Sequence, residues 1–123
     1  MDVDGVETFR AQVSGNTIFG RRYGSGPPSL LVHGFPRTSL MWRDIAPRLA
    51  TNHTVIAVDI RAYGRSGTPE STEDHFPYSK RAMADELVEV MSDLGHPTFT
   101  VIGHDRGGRV AYRMALDHPQ VVE

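Results

Sequence analysis

Three short apolar runs constrain this chain more than any other feature: Leu30-Leu31-Val32, Thr54-Val55-Ile56-Ala57-Val58 and Thr98 to Ile102. Each precedes a stretch with helical spacing. Leu40 to Ala50 follows the first, Met83, Leu87, Val90, Met91 and Leu94 follow the second, and about Arg106 to His118 follows the third. Apolar runs without polar alternation are strands buried on both faces, and their alternation with helices gives βαβ crossovers. The expected class is therefore α/β, a mostly parallel sheet with helices on both faces. An antiparallel hairpin, Val6 to Val13 and Ile18 to Tyr23 around the turn cluster Ser14-Gly15-Asn16, would lead into it. Ser39 is expected to cap the first helix, Gly95 to stop the second and Pro119 to close the third.

The 123 residues suit one domain, and 39% apolar residues suffice for a core. Thirteen Lys and Arg against fifteen Asp and Glu leave a net charge of −2, which offers no basic footprint for nucleic acid or an anionic membrane. The absence of cysteine excludes disulfides, thiolate nucleophiles and Cys-type zinc sites. An acidic N-terminus and a longest apolar run of Val55 to Val58 carry no signal peptide or membrane span, so the expected location is the cytoplasm. The six histidines lack paired ligand spacing, and neither Gly-x-Gly-x-x-Gly nor a Walker pattern occurs, so no metal or cofactor is expected.

The chemistry concentrates in Gly103-His104-Asp105-Arg106-Gly107-Gly108, between the third run and the last helix. Gly-x-x-x-Gly at a strand-to-helix junction is the layout of a nucleophile elbow. Small flanking residues let a tight turn hold the central side chain, here Asp105, strained above the sheet. Asp105 also fits a plain helix cap, so the two readings compete. Upstream, His33-Gly34-Phe35-Pro36 leaves the first strand where elbow enzymes place an oxyanion-hole donor. The two donors would be the N–H groups of Phe35 and Arg106. Asp59-Ile60-Arg61-Ala62-Tyr63-Gly64-Arg65-Ser66 leaves the second strand as a turn-rich loop.

These three segments, in this order, resemble the α/β-hydrolase superfamily from about Ile18 to Pro119. Ala62 departs from the glycine that members often carry. A carboxylate nucleophile is already ionised at neutral pH and suits displacement at saturated carbon, which disfavours serine-type esterase chemistry. Carbon–halogen bonds and epoxides are the two substrate classes that fit. Arg106 and Arg109, three apart at a helix start, share a face and can present two guanidinium forks to one carboxylate, whereas epoxides and neutral haloalkanes offer no anion. Arg113 continues the stripe and reads as solvated. Gly-His-Asp-Arg-Gly-Gly-Arg with His-Gly-Phe-Pro upstream looks like the fluoroacetate (haloacetate) dehalogenase family. Epoxide hydrolase relatives usually carry an aromatic residue after the nucleophile.

The resemblance implies that residues 1–123 are the N-terminal part of a single α/β-hydrolase domain, homodimeric in the complete enzyme. The histidine base, its carboxylate partner, the lid and the halide-binding groups would follow later in the chain. The expected substrate is a small halogenated carboxylic acid, attacked through an Asp105 alkyl ester. The chain alone would be alkylated once without turnover, and its last strand would be an exposed edge. The alternatives are an epoxide hydrolase-like member and a non-catalytic remnant.

Overall fold

The computed structural model describes residues 6–13, 16–34, 38–60, 66–67 and 79–123. A five-stranded mixed sheet has the order β1-β2-β4-β3-β5, with β1 (Val6–Val13), β2 (Asn16–Tyr23), β3 (Pro28–Val32), β4 (Thr54–Val58) and β5 (Thr100–Gly103). β3, β4 and β5 are parallel with β3 between the others. The β1–β2 hairpin joins β4 antiparallel through β2.

Side chains two apart on a strand share a face, so an unbroken apolar run must be covered twice. Leu30, Val32, Ile56 and Val58 meet α2 (Lys80–Asp93) and α3 (Arg106–Asp117), whose Leu87, Val90, Met91, Val110 and Met114 complete that core. Leu31, Val55 and Ala57 point the other way, beneath Trp42 and Ala46. Val110 and Met114, four apart on α3, are fully buried. At roughly 1.5–3 kcal/mol for each such side chain, they hold α3 on the sheet with its first turn at the C-terminal end of β5.

The expected helix from Leu40 to Ala50 is instead a 3-10 turn (Ser39–Trp42) and a single-turn α1 (Ala46–Leu49). Pro47 has no N–H to donate and its ring would crowd the carbonyl four residues back, so one continuous helix cannot form. Thr38, not Ser39, caps the 3-10 turn, accepting the Leu40 N–H at 3.3 Å. Asn16, expected in the turn, opens β2. Its Nδ2 donates to Glu86 Oε2 at 3.0 Å in a buried pair that pins the strand to α2. Ser79 caps α2 by accepting the Ala82 N–H at 3.1 Å, and Gly95 follows that helix at φ +91°. β5 starts at Thr100 rather than Thr98 and is the edge strand of the sheet as expected, paired with β3 alone among the described residues; one bridge forms just before it. The Phe99 N–H donates to Val121 and the Glu123 N–H to Phe99, at 3.0 and 2.9 Å, in a parallel pairing of Phe99 with Val122.

Candidate active site

β5 ends at Gly103 and α3 opens at Arg106, so His104 and Asp105 alone reverse the chain. Asp105 takes φ +55° and ψ −115°, the one positive φ outside glycine among the described residues. Such a conformation costs about 1–3 kcal/mol and needs surroundings that impose it. The flanking glycines let those surroundings close in. A Cβ on Gly103 would lie 2.2 Å from the Gly107 carbonyl oxygen, and one on Gly107 would lie 2.1 Å from that of Val32.

The capping alternative can be tested against a neighbour. Ser79 sits in extended backbone and its hydroxyl caps α2. Asp105 holds the equivalent position on α3, yet its carboxylate makes no capping bond and accepts no hydrogen bond among the described residues. The turn is strained without the compensation that a cap provides.

Behind the elbow, His33 is fully buried. Its Nε2 accepts the Ile60 N–H at 3.0 Å, which leaves the proton on Nδ1 to donate to the Gly34 carbonyl at 2.9 Å. Burial pushes its pKa below the ordinary 6.5, against smaller upward pulls from that carbonyl and the Asp59 charge, so the ring is a neutral brace between the ends of β3 and β4. Asp59, also buried, accepts the Ser39 N–H at 2.6 Å. The Ser66 hydroxyl accepts the Phe19 N–H at 2.8 Å and donates to the Asp59 carbonyl. These bonds tie the end of β3 to the residues after β4, and the His104 N–H donates to the Val32 carbonyl at 3.0 Å to join the same strand end to the elbow. A Cβ on Gly34 would lie 2.6 Å from that of Asp105. Phe35, the expected oxyanion donor beside Gly34, lies outside the described residues, as do Arg61 to Arg65. Arg106, the other expected donor, is the first residue of α3.

Asp105 lines an open pocket of about 390 Å³ together with Lys80, Gly108, Arg109, Tyr112 and Arg113. The structure thus brings Asp105 and Arg109 to one surface. Arg106 is exposed and does not line the pocket, but its charge reaches it. Burial first, then Arg106, then Arg109 push the Lys80 pKa below its ordinary value. Arg113, expected to be merely solvated, lines the pocket, although its charge is shared with Asp117 at 3.4 Å, which also takes Arg81 at 2.9 Å. His104 is exposed and lies outside the pocket lining. Among the described residues no three His, Cys, Asp or Glu gather as metal ligands, and no helix is long and apolar enough to cross a membrane.

Sequence reasoning missed Lys80 and Tyr112. Tyr112 stands three residues after Arg109 and is 67% exposed, a spacing that places it on the arginine face. Lys80 had a signal too: a cation on the first residue of a helix opposes the helix dipole.

A family model for the alpha/beta hydrolase fold matches residues 27–123. The chain belongs to the α/β-hydrolase family. It is 52% identical over 119 residues to a fluoroacetate dehalogenase of Burkholderia sp, covering 97% of this chain and 39% of that protein. It is 40% identical over 118 residues to a soluble epoxide hydrolase of Corynebacterium sp. (strain C12), covering 96% and 40%. Among solved structures, an epoxide hydrolase from an endophytic Streptomyces superposes with a TM-score of 0.91 at 36% identity, covering 98% of this chain and 36% of that one. The chain therefore spans about 40% of the length of these two curated relatives.

Proposed function

We propose that residues 1–123 form the N-terminal part of a single α/β-hydrolase domain and carry the nucleophilic half of a hydrolase acting on small halogenated carboxylic acids. The observation that carries this reading is Asp105 itself, strained at φ +55°, uncapped, and facing a pocket that it shares with Arg109. An Asp105 oxygen bonds to the carbon bearing the halogen, the carbon–halogen bond breaks, and halide leaves with the bonding electrons. Water then adds to the Asp105 carboxyl carbon with loss of a proton to a base. The acyl–oxygen bond breaks, releasing the hydroxy acid and restoring the carboxylate. Arg106 and Arg109 hold the substrate carboxylate, and the N–H groups of Phe35 and Arg106 receive the charge that develops on the ester oxygen in the second step. None of the described histidines lines the pocket, so the water-activating base comes from outside the described residues.

Epoxide opening is the second reading, favoured by the Corynebacterium relative, because the same carboxylate attacks an epoxide carbon. A neutral epoxide, however, offers the arginines no anion. The test uses the protein expressed from its whole gene, offered chloroacetate and a small neutral epoxide separately. Halide release from chloroacetate, with an apparent KM raised strongly by Arg109→Gln, supports the first reading. Diol formation without halide release overturns it in favour of the second.

A further inference from the structure

Two helices begin at this pocket, and both carry cations in or beside their first turns, with Asp105 at the head of α3 as the one carboxylate lining the pocket among the described residues. The N-terminal end of a helix carries a partial positive charge that favours anions. Neither α2 nor α3 has an acidic residue in its first turn. Instead α2 opens with Lys80 and Arg81, while Arg106 and Arg109 lie in or beside the first turn of α3. Arg81 and Arg113 have a counter-ion in Asp117. Among the described residues, Lys80 and Arg109 have no carboxylate within ion-pair distance, although both line the pocket that holds Asp105.

We infer that Lys80 is a third cation of the acid-binding site, one that captures and holds the substrate carboxylate alongside Arg106 and Arg109. This rests on the haloacid reading above. Like charges gathered at two positive helix ends repel one another, and the repulsion is relieved when an anion enters. The Lys80 pKa is lowered first by burial and then by the same neighbouring charges of Arg106 and Arg109. A site that violates local charge preference in this way is more costly empty than full, which is a property of ligand sites rather than of structural ion pairs. Lys80 comes from a different helix than the two arginines, so the substrate acid is held across α2 and α3 rather than by α3 alone. Its ammonium, half-buried on a flexible stem, acts as a point charge and not as a planar fork. It should therefore govern capture rather than the bond-breaking step.

The test compares chloroacetate with chloroacetamide, its neutral counterpart, in the whole-gene protein and in Lys80→Met, Lys80→Gln, Lys80→Arg and Arg109→Gln variants. The acid-to-amide ratio of kcat/KM is internally normalised, so a variant that merely folds less well does not change it. Expected is a fall of about 10-fold in that ratio for Lys80→Met and Lys80→Gln, with kcat for chloroacetate within about 2-fold of wild type and the ratio largely restored by Lys80→Arg. Acetate, which lacks a leaving group, should raise the thermal midpoint of the wild type more than that of Lys80→Met. In the absence of anions Lys80→Met should melt at or above the wild-type temperature. If the ratio is unchanged in the Lys80 variants but collapses in Arg109→Gln, Lys80 is not an acid-binding cation and the haloacid reading stands. If neither position changes the ratio, the haloacid reading itself fails.

Discussion

Asp59 and Asp105 stand at matching places, each just past the C-terminal end of a parallel strand flanking β3, and have opposite fates. Asp59 is 2% exposed and its oxygen takes the Ser39 N–H at 2.6 Å. Asp105 is exposed, strained, and without a hydrogen bond to its carboxylate among the described residues. A buried carboxylate survives only when its oxygens are satisfied, and a satisfied carboxylate is a poor nucleophile because attack would break those bonds. One aspartate therefore holds the loops in place, and the other keeps its carboxylate open to the pocket. Residue type and strand-end position are shared, so the difference lies in what each side chain touches.

The largest effect that would sharpen this contrast is on activity. Asp105→Asn should lower turnover by on the order of 10³-fold or more while leaving stability within about 1 kcal/mol. An active Asp105→Asn enzyme would break the comparison outright. Next come the glycines of the elbow. Gly107→Ala should cost about 3 kcal/mol or more, read by urea denaturation, because its Cβ would meet the Val32 and His33 carbonyl oxygens at 2.1 and 2.5 Å. Gly108→Ala should gain about 0.5–1 kcal/mol instead, since its nearest contact would be an ordinary 3.7 Å and alanine suits a helix interior better. Equal effects at the two positions would show that the turn is not closely packed. Asp59→Asn should have the reverse signature of Asp105→Asn, a loss of about 1.5–3 kcal/mol from the charge-assisted bond to Ser39.

The smallest effect concerns His33. Its folded pKa lies below the ordinary 6.5, so above that pH both folded and unfolded states are neutral and its full contribution is present. As pH falls through 6.5 the unfolded chain takes up the proton first, and stability drops until the folded pKa is reached. His96, whose pKa is also lowered, by burial and by Arg22, acts with the same sign. Urea midpoints between about pH 7.5 and about pH 5.5 should fall more steeply in the wild type than in His33→Gln, with His96 contributing to the slope that remains. Parallel curves would show that His33 is not buried neutral.

The architecture was largely legible because β3 and β4 are continuous apolar runs and α2 and α3 carry apolar residues at helical spacing, whereas β5, expected to be buried on both faces, leaves Thr100 and Ile102 exposed at the sheet edge. β4 occupies the residues its β-branched run marked out. The broken first helix was misread because apolar periodicity outweighed Pro47, the residue that decides the local backbone. The early start of β2 was not legible, since the Asn16–Glu86 bond joins residues 70 positions apart. At the site, the elbow was visible from Gly103, Asp105 and Gly107, because a tight turn leaves a local glycine signature. Lys80 was not, since only the packing of α2 beside α3 brings it to the pocket. Its charge against the helix dipole was the one sequence sign available.

The central claim is that Asp105 forms a covalent ester, and the most direct measurement is peptide mass analysis after reaction with chloroacetate in heavy-oxygen water. The whole-gene protein should show the Asp105 peptide carrying either a carboxymethyl ester or incorporated heavy oxygen, with neither present in Asp105→Asn. Release of halide while the Asp105 peptide stays unmodified and unlabelled would mean that water attacks the substrate directly, and would contradict the account.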